Sequence, residues 1–541
     1  MATYMQDWPL LVGRILDHAA RFHPKRPVIS RDTEGPISTT DWKGIHHGAK
    51  QVTQALRALG IGPGDVVGVM GWNTARMLKI WYGVPGAGAA LHTLNPRLFA
   101  DQLTYVVTHA EDKAIFVDRD LLPVILGVRD RIPNVRHIIV MTDRAHMPDN
   151  APDDAICFEE WIAEHDGDTD WERVDETAPC GICYTSGTTG NPKGVVYTHR
   201  SNTLHSLASQ SPDMLGLSSR DRLMPVVPLF HANGWSTGYT GPMSGASMAM
   251  PGNNMTPAGL YEMLQHGVTV TAAVPTVWLG LLQYLDAEKK TLDSLKRVVI
   301  GGSSCPRAVI EAFQDKYGVQ VMHAWGMTEM SPLGTVCTFK PEVAALDHEA
   351  RLDVQETVGH PPFSVDLKIV DDAGADMPWD GVAQGRLLTR GDAIVGTYLK
   401  HDEPAVDGDN WFDTGDVATM DENGYVRITD RSKDVIKSGG EWISSIELEN
   451  AAVGHPDVVE AAAIGVPHEK WGERPVLVVV PKEGATPDKA EILARVAKVV
   501  AKWQVPDDVV FRAEIPHTAT GKISKLQLRA AVSPEDYQLG G

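Results

Sequence analysis

Short β-rich segments alternate with longer amphipathic segments from about residue 10 to residue 430, and this alternation constrains the fold most. The β-rich segments are apolar, partly β-branched, and end at Gly, Pro or a polar residue; they include 65–70, 113–118, 137–142, 269–275 and 297–302. Segments of helical periodicity, such as 46–60 and 306–318, lie between several of them. Strands that alternate with helices form parallel sheets covered by helices. We therefore expect a large α/β domain whose ligands bind at the carboxyl ends of the strands.

The pattern changes near residue 430. A charged and then Gly-rich segment leads into a helix in which Ser444 and Glu447 have the spacing of a capping box. Two strand-like runs (458–467 and 474–481), a helix (487–503) and a terminal helix follow. The chain of 541 residues is also too long for one hydrophobic core. We predict a large N-terminal domain over residues 1–432 and a small α+β C-terminal domain over 433–541.

The charge balance and the cysteine content limit the possible partners. The chain has 49 Lys and Arg against 70 Asp and Glu, a formal net charge of -21, which disfavours nucleic acid and anionic membranes as partners. Five cysteines are too few for a disulfide framework in a chain of this length. The first residues do not have the pattern of a signal peptide, and no apolar run approaches the ~18 residues of a membrane span. We expect a cytoplasmic protein without a membrane span.

The segment "YTSGTTGNPKG" (184–194) follows a short strand-like run and is rich in Gly, Ser and Thr. A Gly-rich loop that leaves a strand can point several backbone N–H groups at one anion, and a Lys adds a positive charge. A mobile surface loop is the alternative interpretation of such a segment. The Walker A pattern does not fit, because Pro192 precedes Lys193 and Gly194 follows it. The loop is therefore a candidate phosphate site of another kind.

Residues 184–199 resemble the phosphate loop of the adenylate-forming enzymes, a superfamily of acyl-CoA synthetases, firefly luciferase and adenylation domains of peptide synthetases. Four further motifs of that superfamily follow in order: "HAWGMTE" (323–329), "WFDTGD" (411–416), "DRSKDVIKSGGEWIS" (430–444) and "TATGKISK" (518–525). Two positions depart from the usual pattern, Trp325 where Tyr is common and Asp430 where Gly is common. Trp retains a flat ring, so the first departure is compatible with nucleotide binding.

The resemblance implies a site for ATP and Mg²⁺. The phosphate loop would cradle the pyrophosphate portion of ATP, Trp325 would stack on adenine, Thr328 would bind the α-phosphate, and Asp416 with Arg431 would bind the ribose. Glu329, together with Thr185, would ligate Mg²⁺ through oxygen. The full ATP or AMP set implied in this way is Thr185, Ser186, Gly187, Thr188, Thr189, Gly190, Lys193, Gly302, His323, Ala324, Trp325, Gly326, Thr328, Asp416 and Arg431.

The resemblance also implies two half-reactions. In the first, a carboxylate attacks the α-phosphorus of ATP, and Lys522, the principal candidate for a catalytic residue, would stabilise the developing charge. Glu329 and His231 complete the predicted catalytic set. In the second, coenzyme A displaces AMP after the small domain rotates about a hinge at Lys433. The predicted coenzyme A contacts are Lys437, Gly439, Gly440 and Trp442.

The acyl pocket is predicted from the segments 228–236 and 301–306 and the start of "GMTE". Its candidate residues are His231, Trp235, Gly302 and Met327. Trp235 is bulky and would shorten the pocket, which favours a short or medium acid. The wording "SGGEWISSIELEN" together with "FHANGW" resembles acid–CoA ligases that act on 3-methylmercaptopropionate, and sulfur contacts aromatic ring edges favourably. A medium-chain fatty acid is the alternative substrate.

Other classes of function remain as alternatives at this point. Cys180 and Cys183 could indicate a metal or redox site, but a second Cys pair is missing, and residues i and i+3 of a strand point to opposite faces. A nucleotide-binding protein without catalysis would be expected to lack Lys522 or Glu329, and both are present. Luciferase-type oxidation would need a special substrate pocket. The residues do not indicate the oligomeric state; a homodimer is common in the superfamily.

Overall fold

The computed structural model describes residues 4–185, 191–439, 441–517 and 523–539, and two large sheets dominate the first part of the chain. Their strands before residue 200 are β1 (Pro27–Arg31), β2 (Ile37–Asp41), β3 (Val66–Met70), β4 (Ala90–Thr93), β5 (Asp112–Val117), β6 (His137–Val140), β7 (Ile156–Cys157), β8 (Pro179–Tyr184) and β9 (Gly194–Thr198). The strands that follow are β10 (Arg222–Pro225), β11 (Ser247–Met250), β12 (Val270–Ala273), β13 (Arg297–Gly301), β14 (Gln320–Gly326) and β15 (Leu333–Val336).

Both large sheets are mostly parallel. The seven-stranded sheet has the order β7-β6-β5-β3-β4-β8-β9, and only the last pair is antiparallel. The eight-stranded sheet has the order β15-β14-β13-β12-β10-β11-β1-β2, with antiparallel pairs at its two edges. Each strand proposed from the sequence in this region is present, and its ends differ from the prediction by only a few residues. The predicted α/β class of the large domain is confirmed.

Helices cover these sheets and bury their apolar faces against them. Those of the large domain are α1 (Gly13–Phe22), α2 (Trp42–Ala58), α3 (Ala75–Gly86), α4 (Ala100–Ala110), α5 (Leu122–Leu126), α6 (Phe158–Ala163), α7 (His199–Ser209), α8 (Thr237–Met243), α9 (Pro257–Leu264), α10 (Pro275–Glu288), α11 (Arg307–Glu311), α12 (Pro341–Ala344) and α13 (His348–Gln355). The helix predicted over 306–318 is shorter in its α-helical part, since α11 continues as a π-helical turn over Ala312–Lys316.

A third sheet, which the sequence did not predict, lies at the end of the predicted N-terminal domain, just before the predicted boundary. Its strands β16 (Val365–Val370), β17 (Gly385–Gly391), β18 (Phe412–Met420) and β19 (Val426–Arg431) are all antiparallel. The turn from β18 to β19 is short because the Asp421 carboxylate accepts hydrogen bonds from the backbone N–H groups of Asn423 and Tyr425. This sheet places the residues at the start of β18 and the end of β19 side by side.

The C-terminal part of the chain is a small α+β domain, as predicted. Its strands and helices are β20 (Ile436–Ser438), β21 (Glu441–Ile443), α14 (Ser445–Val453), β22 (Val458–His468), β23 (Gly472–Pro481), α15 (Lys489–Val496), β24 (Asp508–Phe511) and α16 (Lys525–Ala531). Half of the predicted capping box is present, because Ser444 Oγ accepts a hydrogen bond from the Glu447 N–H. The helix predicted over 487–503 ends at Val496, and Val499 and Trp503 beyond it are exposed instead of facing the core.

The exact division at residues 432 and 433 stays a prediction. Across the ranges that the structure describes, no helix is both long enough and apolar enough to cross a membrane.

Candidate active site

A cavity of about 810 Å³ opens at the carboxyl ends of β8, β13 and β14. This is the position at which α/β sheets usually bind ligands. Thirteen residues with predicted roles line it: Thr185, Lys193, His231, Trp235, Gly302, Ala324, Trp325, Gly326, Met327, Thr328, Glu329, Arg431 and Lys433. The fold thus brings four separate motifs to one place.

The phosphate loop joins the antiparallel strands β8 and β9. Its base is closed by the Thr185 N–H, which donates a 2.9 Å hydrogen bond to the Lys193 carbonyl. The Lys193 ammonium lies 4.8 Å from the centre of the Tyr398 ring, within the range of a cation–π contact. Ser186, Gly187, Thr188, Thr189 and Gly190 lie outside the described residues, so the positions of these predicted phosphate contacts remain predictions.

Trp325, at the end of β14, is joined to the antiparallel sheet. Its Nε1–H donates a 2.9 Å hydrogen bond to Asp416 Oδ2, and Arg431 Nε lies 2.8 Å from Asp416 Oδ1. Asp416 is only 2 % exposed, and these two groups contact one oxygen each of its buried carboxylate. The Trp325 ring packs against Gly334, where a Cβ would come within 2.7 Å of it. A Trp can make both the ring contact and the donor contact at this position.

Glu329 belongs to the short turn Thr328–Met330 and lines the cavity together with Thr185 and Lys193. It is 8 % exposed, and this burial raises the pKa of its carboxyl. The Tyr398 hydroxyl donates a 3.0 Å hydrogen bond to Glu329 Oε1. The Val395 N–H donates to the Glu329 carbonyl at 2.8 Å, which fixes the backbone of the turn.

The donors near Glu329 fit Mg²⁺. The Glu329 carboxylate and the Thr185 hydroxyl are hard oxygen donors that line the same cavity. Among the described residues, no group of three or more His, Cys, Asp and Glu is arranged to hold a metal ion. Mg²⁺ commonly takes one or two protein ligands and completes its shell with substrate phosphates and water, so a sparse site of this kind suits it.

The apolar end of the cavity is formed by Trp235. It lies in a left-handed turn over Ala232–Ser236, in which all five residues have positive φ. The indole lies beside β13, where a Cβ on Gly301 would be 3.3 Å from it and one on Gly302 would be 3.8 Å away. Behind the indole is an apolar void of only about 10 Å³. The cavity therefore ends at Trp235.

The small domain also contributes to the cavity, through Lys433, Asp434 and Ile523. Lys522, the neighbour of Ile523, lies outside the described residues, and its catalytic role remains a prediction. Asn450 on α14 donates a 2.9 Å hydrogen bond from Nδ2 to Ser304 Oγ of the large domain.

The buried side chains beneath α14 form a connected polar group. The Ser445 N–H donates to Asp430 Oδ2 at 2.7 Å, and Lys525 Nζ lies 2.6 Å from the Glu449 carboxylate. Asp430, which stands where Gly is usual, thus satisfies the first turn of α14.

The three predicted coenzyme A contacts within the described residues do not line the cavity. Lys437, Gly439 and Trp442 are not part of its lining, and Gly440 is outside the described residues. The Gly439 N–H donates a 2.7 Å hydrogen bond to the Trp471 carbonyl, and Lys437 Nζ lies 5.9 Å from the Trp442 ring centre. To reach the cavity these residues would have to move with the small domain.

Two predicted nucleotide contacts are placed differently from the others. The His323 ring is buried, does not line the cavity, and has a pKa lowered to about 4 by that burial. The prediction for His323 can therefore concern only its main chain. Asp416 lies behind the lining residues Asp413, Thr414 and Gly415.

Sequence reasoning missed Tyr398, Tyr105 and His401, which line the cavity as well. Tyr398 lies between β17 and β18 and outside all five motifs. Its partners are far away in the chain, so no local pattern indicates its position.

The cysteines do not support a metal or redox site. All five are buried and free in the described structure, and burial raises the pKa of the Cys180 thiol to about 12. Cys180 accepts a hydrogen bond from Asn202 Nδ2, which gives this thiol a place in the core.

Comparisons with known proteins show the family to which the chain belongs. The family described as AMP-binding enzyme matches residues 16–399, and its C-terminal domain matches residues 447–522. The 3-methylmercaptopropionyl-CoA ligase of Ruegeria pomeroyi is 48 % identical over 530 residues, covering 98 % of each chain. The medium-chain-fatty-acid–CoA ligase of Ectopseudomonas oleovorans is 44 % identical over 533 residues, covering 98 % of this chain and 97 % of that one.

Solved structures are similar over the same length. The anthranilate CoA ligase AuaEII in complex with anthranoyl-AMP superposes with a TM-score of 0.86 at 26 % sequence identity, covering 97 % of this chain and 99 % of that one.

Proposed function

This chain belongs to the AMP-binding enzyme family, and from that premise we propose that it is an AMP-forming acid–CoA ligase. A carboxylate and ATP give acyl-AMP and pyrophosphate, and coenzyme A then gives acyl-CoA and AMP. The proposed substrate is 3-methylmercaptopropionate or a similar short or medium acid. The relatives support an acid–CoA ligase, because two of them are named as CoA ligases of a carboxylic acid.

One observation carries the proposal. A single cavity collects the phosphate-loop residues Thr185 and Lys193, the turn with Glu329, the hinge motif and the neighbour of Lys522. The first half-reaction needs a site that binds both ATP and a carboxylate, with the carboxylate next to the α-phosphorus. These motifs supply groups for the phosphates, the adenosine and the carboxylate.

The residues of the cavity suit the first half-reaction. Lys193, Arg431 and Lys433 are cationic side chains that line it and oppose the negative charge of the phosphates. Glu329 and Thr185 would hold Mg²⁺, which when bound neutralises charge on the phosphate oxygens. Lys522 would add a positive charge at the reacting phosphoryl group. No protein nucleophile is required, because the substrate carboxylate itself attacks.

The second half-reaction requires the small domain to move. Lys437, Gly439 and Trp442 are outside the cavity lining, whereas Ile523 is in it, so this conformation suits adenylate formation. We propose that rotation of the small domain about Lys433 moves the segment with Ile523 out of the cavity and brings the segment 437–442 to it. Gly439, with φ +64, and Gly440 would let the pantetheine arm approach the backbone closely.

Trp235 supports a short substrate. The space behind its indole, about 10 Å³, is far too small for further methylene groups. An aromatic end wall also suits a thioether, since sulfur contacts ring edges favourably. His231, which lines the same end of the cavity, would lie beside the carboxylate or acyl-AMP. A medium-chain fatty acid remains the second candidate, because the relative named for it is almost equally similar.

The test is a carboxylate-dependent AMP-release assay with ATP, Mg²⁺ and coenzyme A. It compares 3-methylmercaptopropionate with a series from acetate to decanoate, for the wild type and Trp235→Ala. We expect kcat/KM to be highest for the thioether acid and its close isosteres, and to shift toward longer acids in Trp235→Ala. A wild-type rate that still rises at octanoate would favour the medium-chain ligase. Absence of AMP release with every acid would contradict the ligase proposal.

We propose a cytoplasmic location and a homodimeric assembly. The five free, buried cysteines are consistent with a reducing compartment. Size-exclusion chromatography with light scattering would test the assembly.

A further inference from the structure

We propose that Tyr398 is a positioning residue that holds the proposed Mg²⁺ ligand Glu329 and the phosphate-loop residue Lys193 in register. This inference rests on the proposed function. Tyr398 itself would not touch the reacting atoms; it would set the positions of two groups that bind MgATP.

The side chain of Tyr398 contacts both groups at once. Its hydroxyl donates a 3.0 Å hydrogen bond to Glu329 Oε1, and its ring lies 4.8 Å from Lys193 Nζ. Tyr398 is half-buried and lines the cavity together with both partners. The hydrogen bond involves only one oxygen of the carboxylate, so Oε2 can face a metal ion.

The backbone on either side of Tyr398 is tied to the same two elements. The Val395 N–H donates to the Glu329 carbonyl at 2.8 Å, and the Leu399 N–H donates to the Gly194 carbonyl at 2.8 Å. A Cβ on Gly194 would be 3.1 Å from Leu399 Cβ, so the two segments approach closely. Residues 395–399 therefore connect the Glu329 turn to the base of the phosphate loop through backbone hydrogen bonds.

The contacts of the Tyr398 side chain orient the Glu329 carboxylate and the Lys193 ammonium, which the backbone hydrogen bonds do not. A Glu carboxylate can rotate about its own bonds, and a Lys ammonium is a point charge on a flexible stem, so backbone placement alone does not orient either group. The hydroxyl restricts the Glu329 rotamer, and the ring face confines the ammonium. Both charges are then in place before MgATP arrives, which reduces the ordering cost of binding.

The test separates the two contacts with Tyr398→Phe, which removes the hydroxyl and keeps the ring, and Tyr398→Leu, which removes both. ATP affinity is measured by calorimetry with Mg²⁺ and again with a chelator. For Tyr398→Phe we expect the Mg²⁺-dependent gain in ATP affinity to fall about tenfold, as for loss of a hydrogen bond to a charged group, with metal-free affinity unchanged. For Tyr398→Leu we expect metal-free affinity to fall as well.

Tyr317 provides a matched control at a distance from the cavity. Its hydroxyl bonds to the Asp286 carboxylate at 2.9 Å, and Lys316 Nζ lies 5.4 Å from its ring centre, so it repeats the same arrangement on the surface. Tyr317→Phe should leave both ATP affinities unchanged. Melting temperatures of all three variants show whether any change comes from unfolding.

Two outcomes would overturn the inference. One is a wild-type Mg²⁺-dependent gain in Tyr398→Phe; the other is an equal loss of ATP affinity with and without Mg²⁺ in that variant. Either result leaves the ligase proposal intact if the wild type still releases AMP with a carboxylate. A wild type without carboxylate-dependent AMP release would instead contradict the proposed function itself.

Discussion

At the scale of single residues, Trp325 makes two kinds of contact, one through its ring and one through its indole N–H, and a Phe could make only the first. Its ring lines the cavity and packs on Gly334, and its Nε1–H holds one oxygen of Asp416. Arg431 holds the other oxygen. If Asp416 binds the ribose as proposed, Trp325 also determines the direction in which that carboxylate points.

Trp325→Phe should therefore weaken ATP binding although a flat ring remains. Loss of a hydrogen bond to a buried carboxylate is expected to lower ATP affinity about tenfold, which calorimetry would measure. Trp379, which is exposed, supplies the control variant Trp379→Phe, and its affinity should equal that of the wild type. Wild-type ATP affinity in Trp325→Phe would show that the indole N–H does not contribute.

Residues that belong to a motif were predicted for the site, and their roles there stay predictions. Lys193, Trp325, Glu329 and Arg431 were all predicted for the site, and all line one cavity. Tyr398 was missed because its contacts join residues more than 60 positions away, and such pairs leave no local pattern. The buried position of the His323 ring was also not predictable, since a His in an apolar strand can face either side.

At the scale of elements, the left-handed turn Ala232–Ser236 determines where the cavity ends. Positive φ angles are costly for residues other than Gly, and here four of them stand beside Gly234. Such strain persists only where the surroundings hold it. The turn presents Trp235 to the cavity while Leu229 packs against Gly234.

Gly234→Ala should disturb this turn more than its φ angle alone explains. An added Cβ would lie 2.4 Å from Leu229 Cδ2 and 3.0 Å from Leu229 Cα, so the Leu229 side chain must move and the backbone contact becomes tight. Gly318→Ala is the control, because Gly318 has a similar φ of +65 and open space around it. We expect a loss of about 1 kcal/mol for Gly318→Ala and at least about 1 kcal/mol more for Gly234→Ala in urea titrations. Equal losses would mean that the contact with Leu229 does not constrain the turn.

Elements were predictable in proportion to the strength of their pattern. Buried strands such as β3 and β13 are nearly continuous apolar runs, and their positions were correct to within a few residues. The antiparallel sheet β16–β19 was missed, since its strands mix buried and exposed residues. The predicted helix 306–318 was correct in place, but the switch from α to π geometry at Ala312 depends on packing.

At the scale of the whole molecule, buried histidines make the fold sensitive to acid. Burial lowers the pKa of His199, His205 and His323 to about 4. Two of them accept hydrogen bonds from backbone N–H groups, His199 Nδ1 from Val12 at 3.3 Å and His205 Nε2 from Leu333 at 3.0 Å. Both bonds require a neutral ring nitrogen.

The free energy of unfolding should therefore fall as the pH drops from about 6.5 toward about 4. In that window the unfolded chain takes up protons and the folded chain does not, so each ring contributes a loss of up to about 3 kcal/mol at the acid end. His205→Gln keeps an acceptor for the Leu333 N–H but does not titrate. Urea titrations across this range should show a smaller loss for His205→Gln than for the wild type, whereas exposed His348→Gln should lose as much as the wild type. Equal losses in all three proteins would contradict this assignment.

The hydrogen bond from Asn450 to Ser304 has a consequence for the order of events in a catalytic cycle. Ser304 is two residues from Gly302, which lines the cavity beside Trp235, and Asn450 belongs to the small domain. If a bound acid shifts this loop, the contact would change, and a movement of the small domain would change the loop in turn. Thermodynamic linkage requires the two influences to be equal. Binding of the acid and the position of the small domain would thus be coupled through this one contact.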